Sequence, residues 1–315
     1  MSQMIQVLLP VFNGAQFLRE QIDSIMNQSH QPFHILCRDD GSTDESVAIL
    51  DAYQARHPQL VTRLPSCPER LGALQSFALL MQAALVKADA AEAKVYFALA
   101  DQDDIWQPDK LAICLNALQK AEQAQPDKPI LVHSDLRVIA ANGDEIAPSL
   151  MAFQGLKPEH RGFAAQLVSN TVTGCTTLLN RGLLRRALPI PDEAVMHDWW
   201  LSLVGSAFGR LVYVETPLVL YRQHASNTLG ARQHESPGLD RQSMRRLFRW
   251  HQEASIQQQF EELAKQARGF NARFGEQINA NDRRTLKWVC RMPTLGLWGQ
   301  RILFRLLRNR VERAV

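Results

Sequence analysis

Val95-Tyr96-Phe97-Ala98-Leu99-Ala100-Asp101-Gln102-Asp103-Asp104-Ile105-Trp106 is the stretch on which the reading of this chain turns. An apolar run opening with three β-formers reads as a buried strand, and it stops at three carboxylates within four residues. Pro108 and Asp109 then open a helical pattern that carries Leu111, Ile113, Leu115 and Leu118. Carboxylates gathered at the end of a buried strand repel one another unless a cation sits among them. Oxygen ligands so grouped suit hard ions such as Mg²⁺ or Mn²⁺. Taken alone, a D-x-D is weak, and a solvated acidic loop before a helix would look the same. Its company in the chain gives it weight.

Outward from that turn, strands and helices alternate. Ile5-Gln6-Val7-Leu8-Leu9 reads as a strand ended by Pro10, and 14–27 as a helix with Phe17, Leu18, Ile22, Ile25 and Met26 on one face. Phe33 to Cys37 is a second strand, leading into Arg38-Asp39-Asp40-Gly41-Ser42-Thr43-Asp44, where Ser42 or Thr43 is expected to cap the next helix. A third strand is expected over 60–64, and a helix from Gly72 through Leu85. Such alternation implies βαβ units and a mostly parallel sheet flanked by helices, an α/β class. Ligands of these sheets bind outside the carboxyl ends of the strands. That rule gathers Pro10 to Asn13, Asp39 to Asp44, Arg70 and Asp101 to Asp104 around one crevice.

From Ile130 the pattern becomes mixed β. Strands are expected over 131–139, with an Asn142-Gly143 hairpin turn, over 172–179 around Gly174, and as two short strands over 211–215 and 218–221. His197-Asp198-Trp199-Trp200-Leu201 opens a helix running to about 207. His133 and His197 read as structural, Trp199 and Trp200 as core and cleft wall, and Lys110 as a solvated helix residue. Beyond about 236 the chain reads as helical, with Leu247, Trp250, Ile256, Phe260 and Leu263 on one long helix. The expected division is 1–235 and a basic helical extension over 236–315.

Composition bounds the function. With 46% apolar and 21% charged residues, the chain has an ordinary globular composition. Its five scattered cysteines form no C-x-x-C, which favours free thiols in a reducing compartment. No signal core follows Met1, and no apolar run reaches the ~18 residues of a membrane span. A cytoplasmic chain is the expectation. The net charge of +3 hides an asymmetry, because 282–315 holds nine Arg/Lys against two acids, leaving −4 for the rest. Arg291, Arg301, Arg305, Arg308 and Arg310 interleave with Trp288, Trp298, Ile302 and Leu306, so this tail can lie on an anionic membrane face or pack as a helical hairpin with its arginines in water. The acidic body and the absence of a reader motif argue against nucleic acid as a partner.

Together these stretches resemble glycosyltransferase family 2, with its GT-A fold, from Ile5 to about Gly230. The resemblance implies a nucleotide-sugar donor, a glycan or glycolipid acceptor, and a Mg²⁺ or Mn²⁺ cofactor. By it, Pro10 and Phe12 flank the base beside Asn13, Asp40 bonds the base, and Arg70 approaches the diphosphate. Asp101 lies by the ribose or a metal-bound water, Asp103 and His224 hold the metal, and Gly174 lies near the donor sugar. Asp198 is then the base of an inverting transfer, with helix capping as its lesser alternative, and His224 could equally be structural. The wording Asp101-Gln102-Asp103-Asp104-Ile105-Trp106, His197-Asp198-Trp199-Trp200 and Tyr221-Arg222-Gln223-His224 is similar to the bacterial rhamnosyltransferase-like branch. That implies a dTDP-L-rhamnose donor and a lipopolysaccharide or other surface-glycan acceptor. A UDP-hexose donor and a non-catalytic membrane-surface module remain alternatives. A nucleotidyltransferase needs a Gly-rich triphosphate loop where this chain has Pro10-Val11-Phe12-Asn13-Gly14, and an aspartate-dependent phosphatase needs its acids after the first strand.

Overall fold

A computed structural model describes residues 3–65, 69–91, 93–158, 161–224 and 250–308. The chain divides into two compact units, one of 1–151, 172–190 and 196–230, the other of 152–171, 191–195 and 231–315.

The first unit is built on the expected alternation. Strands β1 (Gln3–Val11), β2 (Phe33–Asp39), β3 (Val61–Arg63) and β4 (Lys94–Leu99) are linked through helices α1 (Ala15–Met26), α2 (Ser46–Arg56) and α3 (Gly72–Asp89). They lie parallel in the order β3-β2-β1-β4. Both faces of this half are covered, so its strands are near-continuously apolar and Ile5, Val7, Leu8, Leu9, Ile35 and Leu36 are fully buried.

The remaining strands are β5 (Ile105–Trp106), β6 (Ile130–Ala140), β7 (Glu145–Ala147), β8 (Thr177–Asn180) and β9 (Arg210–Gln223), with helix α4 (Lys110–Ala124) between β5 and β6. They continue the sheet as β8-β6-β9-β5: β8 is antiparallel to both β4 and β6, while β9 is parallel to β6 and antiparallel to β5. Two sequence expectations change here. The two short strands over 211–221 are one strand, because β6 pairs along its whole length and absorbs Pro217 at register shifts near Asp135. The β segment over 172–179 begins instead as a 3₁₀ turn, Gly174–Thr176, before β8. The Asn142-Gly143 turn forms as expected, with Gly143 at φ +91°.

Short helices α5 (Leu150–Gln154), α6 (Phe163–Gln166) and α7 (Arg181–Ala187) precede α8 (His197–Phe208). The second unit is helical, with α9 (Trp250–Phe274), α10 (Ala280–Cys290) and α11 (Leu297–Arg308). Phe260, Leu263, Ala264, Ala267, Phe270 and Phe274 form the buried stripe of α9, and the Phe270 ring lies 5.1 Å from that of Phe163. The Val195 N–H donates to Gln266 Oε1 at 2.9 Å, which fixes the 191–195 segment to this unit. Leu247 lies outside the described residues. Among those residues, no helix is long and apolar enough to cross a membrane. Cys37, Cys114, Cys175 and Cys290 are free thiols.

The first turn of α8 is anchored by a buried histidine. The His197 ring stacks on Phe77 of α3 at 3.8 Å and 25°, and neither ring nitrogen has a hydrogen-bond partner among the described residues. Burial pulls its pKa down to about 3. The unfolded chain protonates this side chain near the ordinary value of 6.5, so between those values the unfolded state holds more protons. Stability therefore falls as pH drops below about 6.5, by up to about 1.4 kcal/mol per unit. We expect the wild type to lose about 1 kcal/mol more than His197→Gln between pH 7 and 5.5 in urea denaturation. Equal losses would remove His197 from the acid sensitivity of the fold.

Candidate functional site

At the carboxyl ends of β1 and β2, two loops are joined by hydrogen bonds in which backbone N–H groups meet side-chain oxygens. The Asn13 N–H donates to Ser42 Oγ at 2.8 Å, and the Thr43 N–H donates to Asn13 Oδ1 at 2.8 Å. The Gly14 N–H donates to Ser46 Oγ at 2.9 Å, and the Ala15 N–H to Asp44 Oδ2 at 3.0 Å. Asn13 sits at φ +47°, a left-handed conformation that Asn tolerates better than most residues. Ser42 thus serves the neighbouring loop and caps no helix. The position before α2 is Glu45, which makes no side-chain cap bond.

Asp40 is buried and engaged. Its Oδ1 accepts from Arg38 at 2.6 Å and from the Leu71 N–H at 2.9 Å, and its Oδ2 accepts from the Gly72 N–H at 2.7 Å. Burial alone would raise its pKa, but these donors outweigh it and hold the carboxyl below the ordinary value. A carboxylate offers about four lone-pair sites, so one on Oδ2 remains for a ligand. Gly72, at φ +77°, lets the chain turn into α3 beside it. Arg70 is exposed and lays its guanidinium 3.6 Å over the Phe12 ring.

The acidic turn is fixed by two residues to which the sequence reading gave no role. Gln102 Nε2 donates to the Phe12 carbonyl at 3.0 Å and its Oε1 accepts from the Phe12 N–H at 2.8 Å. It fills the space beside Gly14, where an added Cβ would meet Gln102 Oε1 at 2.5 Å. Arg222, buried near the end of β9, donates from Nε to the Asp103 carbonyl at 3.0 Å and from a terminal nitrogen to Glu20 at 2.5 Å. Its backbone N–H reaches Asp104 Oδ1 at 3.2 Å. Arg222 and His224 alternate along the chain and so fall on one side of it, both against Phe17. That alternation was visible in Tyr221-Arg222-Gln223-His224; the position of its partners was not.

His224 Nε2 lies 2.8 Å from Asp103 Oδ2. Neighbouring ligand atoms of an octahedral ion bound at about 2.1 Å stand about 3 Å apart, so this pair fits adjacent corners of a Mg²⁺ or Mn²⁺ shell. A second cluster, Asp101, Asp104 and Cys175, brings one ligand atom from each within 4.8 Å. It fits a hard ion poorly as a set. Burial, then the charges of Asp104 and Asp101, push the Cys175 thiol well up, leaving a neutral donor of low affinity for such ions. Asp101 is raised to about 7 by burial, then by Asp103 and Asp198. Asp104 is raised for the same first reason, and its Oδ2 has no hydrogen-bond partner among the described residues. Four carboxylates thus share one poorly solvated region, an arrangement that favours a cation.

Lys110 does not sit in solvent as its sequence context implied. It is fully buried, its ammonium 3.4 Å over the Trp106 ring, and burial lowers its pKa to about 8. The short β5 strand turns the chain inward there, which the sequence did not signal.

Asp198 occupies the first turn of α8. Its Oδ2 accepts from the Gly174 N–H at 3.1 Å and its Oδ1 from its neighbour's Trp199 N–H at 2.6 Å. A Cβ at Gly174 would meet His197 Nε2 at 3.0 Å, so the glycine makes room for this pair of side chains. Trp200 is buried, its indole N–H donating to the Ala187 carbonyl at 2.9 Å, whereas Trp199 is half-buried. His133 is buried against Tyr213 at 5.2 Å. Pro10, Phe12, Asn13, Asp40, Arg70, Asp101, Asp103, Gly174, Asp198 and His224 all belong to the first unit.

Comparison with known proteins agrees with this geometry. The family model described as "Glycosyl transferase family 2" matches residues 6–187, more than half of the chain. The dTDP-rhamnosyl transferase RfbG of Shigella flexneri is 25% identical over 231 residues, 71% of this chain and 74% of that protein. The glycosyltransferase GlyG of Streptococcus pneumoniae is 22% identical over 242 residues, 73% and 74%. Residues 1–349 of S. aureus TarS, solved with UDP-GlcNAc, superpose with a TM-score of 0.55 at 13% identity, covering 96% of this chain and 90% of that one. The mannosyltransferase PcManGT of Pyrobaculum calidifontis, solved with GDP-Man and Mn²⁺, gives 0.52 at 17%, covering 96% and 84%. The parallel β3-β2-β1-β4 half, the mixed half behind it and the acids at their junction are the GT-A arrangement, and the chain belongs to glycosyltransferase family 2.

Proposed function

We propose that this enzyme is an inverting, divalent-cation-dependent glycosyltransferase that moves L-rhamnose from dTDP-L-rhamnose to a hydroxyl of a bacterial surface glycan such as lipopolysaccharide. The observation that carries the chemistry is the cluster of Asp101, Asp103 and Asp198, whose charges act on one another, with His224 2.8 Å from Asp103. The rhamnose assignment is supported by the likeness to RfbG at 25% identity. A UDP-hexose donor is the second reading, since TarS carries UDP-GlcNAc on this fold. The acceptor is read as a glycan or glycolipid at the cytoplasmic face of the inner membrane.

In this reading Pro10 and Phe12 hold the base beside Asn13, with the free lone pair of Asp40 completing its contacts. Arg70 leaves the Phe12 ring for the diphosphate. Asp103 and His224 hold Mg²⁺ or Mn²⁺, and Asp101 lies at the ribose side. When bound, the cation neutralises charge on the departing nucleoside diphosphate. Gly174 borders the donor sugar and, through its N–H, aims Asp198. The Asp198 carboxylate takes the proton of the acceptor hydroxyl as that oxygen attacks the anomeric carbon. The bond to the diphosphate breaks on the opposite side, and configuration inverts.

Release of nucleoside diphosphate from a panel of sugar nucleotides tests this reading. We expect turnover of dTDP-L-rhamnose that is abolished by chelator and reduced at least about a hundredfold by Asp103→Asn. Turnover of a UDP-hexose instead would discard rhamnose and keep the mechanism; turnover indifferent to chelator would discard the metal. Asp198→Asn should lower kcat by about 10²–10⁴ with donor affinity little changed. Gln102→Ala removes both bonds that Gln102 makes to Phe12, so donor Kd should rise about tenfold with the fold intact by circular dichroism. An unchanged Kd would show that the loop is ordered without it.

A further inference from the structure

Helix α11 has two apolar faces, and one of them is exposed among the described residues. Leu307 and Gln300 are buried, and Phe304 approaches the Phe260 ring at 5.9 Å, so this face joins the second unit. On the other face Trp298 is 74% exposed, Ile302 57% and Leu306 65%. At about 100° per residue these positions, spaced by four, form a stripe about 80° wide. Seven large apolar residues are exposed among those described, and three of them fall within these nine residues, so this is a patch and not scatter.

The flank of the stripe identifies what fits it. Arg305 is exposed beside the stripe, and the Arg301 guanidinium lies 6.0 Å from the Trp298 ring centroid. The helix sequence carries three arginines and no acid. A second copy docking through this stripe would bring arginine flanks together with no carboxylate on the helix to pair them. A bilayer supplies both partners at once: acyl chains for Trp298, Ile302 and Leu306, and anionic headgroups for the arginines, with an indole suited to the interface between them. We propose that the outward face of α11 is a docking surface for an anionic lipid bilayer. This gives the membrane-side reading of the acceptor a physical anchor on the chain, and it stands or falls apart from the transfer chemistry.

Sedimentation of the full-length protein with phosphatidylglycerol–phosphatidylcholine vesicles tests the proposal, with nucleoside diphosphate release measured on the same samples. The wild type should bind anionic vesicles, bind pure phosphatidylcholine at least about tenfold less, and release from anionic vesicles as salt rises. Trp298→Ser/Ile302→Ser/Leu306→Ser should reduce partitioning at least about tenfold, and Arg301→Gln/Arg305→Gln about tenfold. Both should retain donor turnover. Failure of the wild type to bind, or binding by the triple variant at wild-type strength, would overturn the proposal. So would concentration-dependent dimerisation that the triple variant abolishes, which would assign the stripe to a second copy. Loss of turnover with binding intact would count against the chemistry and leave this surface standing.

Discussion

Charge crowding at the end of one strand is the constraint to which the rest of the first unit answers. Asp101, Asp103 and Asp104 leave β4 together, and burial, then the charges of Asp103 and of Asp198 from α8, raise Asp101 to about 7. Like charges at short range in a poorly solvated region cost several kcal/mol unless opposed. The protein's own cations near them are also engaged elsewhere. Arg222 spends its donors on the Asp103 carbonyl, Glu20 and the Ala141 carbonyl. Lys110 lies over the Trp106 ring while its charge also acts on Asp104, and Arg70 stands over Phe12. Protons on Asp101 and Asp104, whose pKa values are raised, or a cation among them relieve the remainder.

Rigidity around those acids comes from backbone donors meeting side-chain acceptors. Loop N–H groups at Phe12, Asn13, Gly14 and Ala15 each find a side-chain oxygen from another segment. Each such bond contributes about 1 kcal/mol net, but leaving its donor unmet after burial would cost more. The network therefore holds these loops in one arrangement more than it stabilises the fold. A site that must tell one sugar nucleotide from another benefits from walls that do not yield.

What the sequence disclosed follows from the range of each interaction. The order of strands and helices through α3, the Asn142-Gly143 turn and the helix at His197 are local signals of period and turn chemistry, and they were legible. The gathering of Asp101, Asp103 and Asp104 in one turn was legible too. Gln102 and Arg222 were not, because their partners lie 90 and 119 residues away. Lys110 misled for a related reason: its neighbours in sequence are those of a solvated helix start, and only the pairing of β5 with β9 carries it inside. The single length of β9 was hidden by Pro217, which reads as a break until the register shift of β6 is seen.

The carboxylates to which the proposed chemistry is assigned also make structural hydrogen bonds, and this decides which substitutions are informative. Both oxygens of Asp40 accept from backbone N–H groups, so an asparagine there must turn an NH₂ toward a donor whichever way it flips. Loss of activity at that position would report a damaged α3 entrance as readily as a lost base contact. Asp198 is similarly placed, with both oxygens accepting from N–H groups. Asp103 differs, because its partner is an imidazole that can donate or accept according to its tautomer. An amide at that position can keep the bond to His224 in either orientation while removing the negative charge. Of the three, Asp103 is where a neutral substitution separates the need for charge from the need for shape.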